Sequence, residues 1–180
     1  MKLLLHTCCA PCSVKSAEAF AAEGWQITLF WYNPNIRPHE EYNSRRDSLI
    51  RLAEEKKHPL IINEYTKEDL TQRCKDAVEK CFCCYRLRLE KTAGIAAENG
   101  FDAYSTTLLI SPYQKHEMIK EIGEGASEEL GIRNEKGVVK GGAEKSPVFL
   151  YRDLRPLFRE SKKLAREAGY YIQKYCGCGL

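Results

Sequence analysis

Cys8, Cys9 and Cys12 fall within five positions, Cys81, Cys83 and Cys84 within four, and Cys176 and Cys178 within three; Cys74 stands alone and completes the nine. A cysteine thiolate binds soft metals and also exchanges with disulfides, so each cluster is a candidate for one chemistry or the other. An odd number cannot all pair internally, and clustering at this spacing in a reducing compartment favours metal or redox chemistry over a disulfide framework. Cys9-Ala10-Pro11-Cys12 alone resembles a dithiol redox pair, but a dithiol enzyme leaves two remote clusters unexplained. One tetrahedral ion or one iron–sulfur cluster takes about four thiolates. More candidates than four imply two neighbouring centres, or cysteines with other roles. Cys74 is isolated and Cys83 lies inside a C-x-x-C, so both are read as bystanders. A thiol-disulfide oxidoreductase using Cys9 and Cys12, and a zinc-stabilised RNA-binding module, stand as the alternatives.

The elements that must carry these thiols follow from hydrophobic periodicity. MKLLLH is a strand; a helix capped by Ser13 places Val14, Ala17 and Phe20 on one face and ends near Gly24. Residues 26–32 form the next strand, Asn33-Pro34-Asn35 breaks it, and Pro38 opens a helix to about Lys57 with Tyr42, Leu49 and Ala53 inward. A short strand at 60–62 and a polar helical stretch lead to the second cluster. A helix over 85–99 ends at Gly100, and then come a strand at 101–107, a helix at 114–131, a strand at 148–151, a helix at 156–168 and an aromatic, cysteine-rich tail. Strands alternating with helices of this length predict an α/β fold: a largely parallel sheet with helices on both faces, in a single domain spanning 1–180. Ligands in such folds gather beyond the carboxyl ends of the strands. Three suspicious segments, the first thiol cluster, the Tyr32-Asn33 turn and Thr106-Thr107, are thereby predicted to share one rim. The first turn contains no glycine and Pro11 removes a donor, which argues against a phosphate loop there.

With 28 Lys and Arg against 25 Asp and Glu, the net charge of +3 neither demands nor excludes a polyanionic partner. Residues 151–180 are more basic, with seven Lys or Arg against three Asp or Glu. Arg37, Arg45, Arg152, Arg155 and Arg159 are the candidate phosphate contacts, since such contacts position a nucleic acid without reading it. The opening leucine run is too short for a signal-peptide core and no apolar stretch reaches 18 residues, so a cytoplasmic protein with no membrane partner is expected. Asp153, at a predicted strand end, is a candidate for metal ligation or proton transfer, with helix capping as its plainer role. His6 and His39 are set aside as structural.

The motifs LLLHTCCAPCS, YNPNIRPHEEYNSR, C-x-x-C-Y-R-L-R-L-E-K-T-A, FDAYSTTLLISPYQKHEMIKEIG and the terminal Y-C-G-C together resemble the cobalamin-independent epoxyqueuosine reductases of the QueH type across nearly the whole chain. That resemblance implies a Rossmann-like (HUP-like) fold and reduction of the epoxide on the modified wobble base of tRNA, the last step in making queuosine. It implies a 4Fe-4S cluster with an additional mononuclear iron, tRNA carrying epoxyqueuosine as substrate, and an external electron donor. Carried over by motif, the metal positions are Cys8, Cys9, Cys12, Cys81, Cys84, Cys176 and Cys178, undivided between the two centres, with Asp153 as a catalytic candidate. Family members usually carry a non-cysteine where this chain has Cys83. Tyr32, Asn33, Tyr42, Arg88, Thr107 and Tyr113 are the expected substrate contacts, because a splayed base stacks on aromatic or guanidinium planes.

Overall fold

The computed structural model describes residues 1–64, 74, 77–135 and 146–175. Five parallel strands form one sheet in the order β3-β2-β1-β4-β5: β1 (Lys2–His6), β2 (Gln26–Trp31), β3 (Leu60–Ile62), β4 (Ala103–Thr106) and β5 (Val148–Phe149). β1 lies at the centre, and its Leu3-Leu4-Leu5 run is fully buried because a parallel strand covered on both faces has no solvent side to alternate with. The helices are α1 (Ala10–Ala22), α2 (His39–Lys56), α3 (Lys80–Glu98), α4 (His116–Glu135) and α5 (Phe158–Glu167). Right-handed crossovers put α1 and α2 on one face and α3 and α4 on the other. The packing agrees, with α1 against α2 and α5, and α3 against α4. Chain direction across the sheet reverses between β1 and β4, which makes that gap the topological switch point.

Four boundaries depart from the sequence expectations. α1 begins at Ala10 with Cys9 as its N-cap, four residues before Ser13, the expected cap. Ser13 lies inside the first turn and its hydroxyl donates to the Cys9 carbonyl at 2.8 Å, a local bond that serine makes as readily within a first turn as at a cap. Pro11 fits because a first-turn N–H has no intrahelical partner to lose. α3 begins at Lys80, so the second cysteine cluster lies within its first turns rather than ahead of it; Glu79 caps it by accepting the Cys81 N–H at 3.1 Å. β4 ends at Thr106, where a 3-10 turn (Thr107–Ile110) begins, and β5 has two residues. Most of the polar stretch expected before the second cluster lies outside the described residues.

Tyr42, Leu49 and Ala53 face the core from α2 as their spacing predicts. The segment after α5 is strapped along α2. Arg51 donates to the Ala168 and Gly169 carbonyls, the Tyr170 hydroxyl to Glu55, the Tyr171 N–H to Ser48 Oγ at 2.9 Å, and the Tyr171 hydroxyl to Glu41. Arg45, fully buried, grips Glu41 at 2.6 Å and donates to the Tyr175 carbonyl at 2.9 Å. The tail therefore runs back toward the rim.

Candidate functional site

Cys8, Cys9 and Cys12 occupy the turn between β1 and α1, and their sulfurs all lie within 4.8 Å of one another, the Cys8–Cys9 pair at 3.8 Å. Because Cys9 is the N-cap and Cys12 sits in the first turn, the thiols are set at the positive end of the α1 dipole. Thr107, arriving from β4 across the switch point, accepts the Cys8 N–H at 3.2 Å and turns its hydroxyl to the Cys8 sulfur at 3.5 Å. Gln173 Nε2 donates to the Cys9 sulfur at 2.8 Å. Hydrogen bonds from the Cys12 and Cys9 thiols, helped by Thr107, hold Cys8 well below the ordinary thiol range, and donating to Cys8 pushes Cys12 well above it. Burial pushes Cys9 up as well.

Beside the sulfurs lies a cavity of about 270 Å³ lined by Cys8 and Cys12, with walls from the β2 turn, α3, the loop after β4, α5 and the tail. Among the described residues, Arg45, Arg88, Lys162 and Lys174 line it and no Asp or Glu does. Arg88, almost fully buried, donates from Nε to the Cys84 carbonyl at 3.1 Å. His6 beneath the rim stays neutral at physiological pH: burial and the Arg88 guanidinium lower it to about 4. Its Nε2 faces the Tyr32 carbonyl at 3.2 Å, an acceptor only, so Nε2 carries the proton and Nδ1 accepts from the Thr106 hydroxyl at 2.9 Å. Asn33 Nδ2 closes the same rim on the Thr7 carbonyl at 2.8 Å. The three segments expected to share a rim do share it.

The family model Epoxyqueuosine reductase QueH matches residues 3–180. Epoxyqueuosine reductase QueH of Dehalococcoides mccartyi is 34% identical over 179 residues, covering 98% of this chain and 90% of that protein. The same-named protein of Thermotoga maritima is 33% identical over 192 residues, covering 98% and 88%. This chain belongs to the epoxyqueuosine reductase QueH family. Its activity is therefore that of an oxidoreductase acting on epoxyqueuosine. Among solved structures, the U34-tRNA thiolase NcsA from Methanococcus maripaludis with its 4Fe-4S cluster shares 14% identity at a TM-score of 0.59, over 97% of this chain and 59% of that one. At that identity the likeness extends to the fold, a Rossmann-like α/β sheet of the HUP type.

Against this QueH frame, the metal candidates divide. Cys8, Cys9 and Cys12 form the one group of three ligand atoms among the described residues. Cys81 and Cys84 stand outside that group on α3; Cys84 is buried one helical turn from Arg88, which reaches the cavity. Cys176 and Cys178 lie outside the described residues, and Tyr175, immediately before them, is on the cavity wall. Cys74 and Cys83, read as bystanders on sequence grounds that favoured metal or redox chemistry over disulfides, are joined in a disulfide.

Of the substrate candidates, Asn33, Arg88 and Tyr113 line the cavity, Tyr113 at 82% exposure on its mouth, and Thr107 supports Cys8. Tyr32 and Tyr42 are core residues here: both are buried and off the cavity wall, and Tyr42 packs edge-on to Trp31 with centroids 5.3 Å apart while its hydroxyl donates to Glu64. Asp153 is exposed, accepts the Arg155 N–H at 3.1 Å and pairs with its guanidinium at 2.6 Å, which holds its carboxyl down to about 2. The structure places Asp153 in a local turn closed on the Arg155 N–H, away from the cavity lining.

The arginines expected on phosphate also divide. Arg45 is buried in its pair with Glu41, Arg152 is bound through two bonds to Glu23, and Arg155 is held by Asp153. Arg37 offers its carbonyl to Tyr175, and Arg159 is exposed on α5. Sequence reasoning missed Asn35, Gln173 and Lys174 as site residues, and placed Lys162 only within the basic last helical region. Asn35 stood in a turn already singled out, whereas nothing in the local sequence of Gln173 signals a sulfur neighbour.

Proposed function

We propose that the chain deoxygenates epoxyqueuosine at the wobble position of cytoplasmic tRNA beside the sulfur trio, with Cys81, Cys84, Cys176 and Cys178 completing the ligands and an external donor supplying electrons. The observation that carries this reading is the clustering of three thiols, two of them on the wall of a cation-lined cavity at the switch point. That donor set fits soft, thiolate-bound metal. Bound there, a 4Fe-4S cluster would pass electrons singly and an additional mononuclear iron would act as the Lewis acid that weakens the epoxide C–O bonds.

The reaction consumes two electrons and two protons, leaves a carbon–carbon double bond and expels the oxygen as water. The chain's own residues prepare for it. Thr107 and Gln173 orient the Cys8 and Cys9 sulfurs, as outer-shell partners of metal ligands do. Tyr113 and Phe158, packed edge-on with centroids 5.9 Å apart, offer aromatic surface at the mouth for an unstacked base. Lys162 and Lys174 meet the backbone phosphates that accompany it.

Anaerobic reconstitution tests the proposal: the protein should emerge brown, contain both iron and acid-labile sulfide, and convert epoxyqueuosine to queuosine in tRNA digested for mass spectrometry. Cys12→Ser should lose iron, sulfide and reduction together. Replacing Lys162 and Lys174 by Ala should leave iron unchanged and lower the slope of log binding constant against log salt by about 1.4, at roughly 0.7 per single-strand phosphate contact. A colourless protein that holds only zinc, or one that reduces the epoxide at the normal rate without iron, overturns the assignment.

A further inference from the structure

Three amide oxygens in the cavity wall, Asn33 Oδ1, Asn35 Oδ1 and Gln173 Oε1, are buried and receive no hydrogen bond among the described residues. Asn33 is fully buried and Asn35 is 2% exposed. Two orientations are set by the opposite end of the amide. Asn33 Nδ2 donates to the Thr7 carbonyl at 2.8 Å and Gln173 Nε2 to the Cys9 sulfur at 2.8 Å, so exchanging O for N would turn an oxygen onto another electron-rich atom. A buried acceptor left without a donor is costly, and three on one wall select a ligand that brings N–H or O–H groups. A phosphate brings only acceptors. A cation of high charge density would call for a carboxylate, and none of the described residues that line the cavity carries one.

We infer that Asn33, Asn35 and Gln173 read the donor edge of a guanine-type base. That edge presents N1–H and two hydrogens on the exocyclic N2, three donors in a row; adenine and cytosine set an amino group beside a ring acceptor, and uracil has one N–H. Bases taken out of a stack are read along this edge. The inference rests on the proposed function, because epoxyqueuosine retains this edge on its 7-deazaguanine ring and carries the epoxide on a substituent of the five-membered ring. Held by the amides, the base turns that substituent into the remaining cavity, where Cys8 and Cys12 form the wall. Gln173 has two duties: its Nε2 holds the Cys9 sulfur and its Oε1 takes a base hydrogen.

The experiment compares two anticodon stem-loops, with guanosine or inosine at the wobble position, binding the iron-loaded protein in a fluorescence-anisotropy titration. Inosine lacks only the N2 amino group. The wild-type protein should bind the guanosine loop about a hundredfold more tightly, roughly tenfold for each of the two buried acceptors left unpaired. Of Asn35→Leu and Gln173→Met, measured separately, at least one should lower that preference to about tenfold; iron and sulfide per chain stay unchanged in Asn35→Leu, while Gln173→Met is compared at equal iron loading because its amide also holds the Cys9 sulfur. Equal affinity of the wild-type protein for both loops, or an undiminished preference in both variants, refutes the inference. Reduction of epoxyqueuosine by the wild-type protein is followed in parallel. If discrimination is present without reduction the base-reading site stands and the reductase reading falls, and if reduction is present without discrimination the reverse holds.

Discussion

Removing Arg45 should be the most damaging single change on α2. The side chain is 2% exposed, donates from Nε to Glu41 at 2.7 Å, approaches the same carboxylate from a second nitrogen at 2.6 Å, and holds the Tyr175 carbonyl at 2.9 Å. Glu41 is itself buried and accepts the Tyr171 hydroxyl. Arg45→Met keeps most of the stem but strands the carboxylate, and removing one partner of a buried pair costs about 3–5 kcal/mol. An unfolding entropy of about 2.1 cal/mol/K per residue gives roughly 0.38 kcal/mol/K for a chain of this length. The expected fall in Tm is therefore about 8–13 °C, read by calorimetry and by urea denaturation of the iron-free protein. Glu41→Leu alone should be similarly harmful, whereas the double variant should lose at least about 2 kcal/mol less than the sum of the singles, because an apolar pair buries no orphaned charge. Additive single losses below about 1 kcal/mol each, the behaviour of an exposed pair, would refute the claim that this pair is a buried anchor. Iron content of the reconstituted Arg45→Met protein adds a functional readout: since Arg45 holds the residue preceding Cys176, it should fall.

Two further outcomes follow from the packing and the turn at Asp153. A Cβ at Gly123 would meet the Phe149 ring at 2.5 Å beneath a ring that also packs on Tyr104, so Gly123→Ala should destabilise the chain by about 1–3 kcal/mol in urea denaturation despite its better helix propensity. Asp153→Asn should cost under about 1 kcal/mol, because the Arg155 pair is exposed. The folded-state carboxyl is depressed to about 2, so its contribution is present above the ordinary pKa near 4 and disappears as pH falls through 2. The difference between Asn variant and wild type should accordingly be seen at pH 6 and vanish near pH 2; a difference that grows on acidification contradicts the assigned pairing.

The unbroken Leu3-Leu4-Leu5 run, the aromatic 26–31 segment and the helical spacing of Tyr42, Leu49 and Ala53 were enough to read the order of elements and a parallel sheet, because local periodicity reports which faces are buried. The same logic placed the first thiol cluster, the Asn33 turn and Thr106-Thr107 on one rim, since all three follow strand ends. Chemical identity also resided in the sequence, in the spacing of Cys8, Cys9 and Cys12 and the motifs around them. What local pattern does not encode is competition between neighbours that meet only on folding. Ser13 has the chemistry of a cap, yet Cys9 holds that position and Ser13 bonds backward to it. Asp153 and Tyr42 had residue types suited to a site, but Arg155 and Trp31 claimed them. Arg45 looked like a phosphate contact and became a buried anchor because Glu41, one turn earlier, lies on the same inward face. Gln173 reaches the Cys9 sulfur across 164 positions, a contact that depends on the tail being strapped along α2. Sequence alone supplied the thiols and the strand ends that bear them. Tertiary structure decided which cysteines gather, which cations remain at the mouth and which acceptors are left for a ligand, because burial and hydrogen-bond partners are set by segments far apart in the chain.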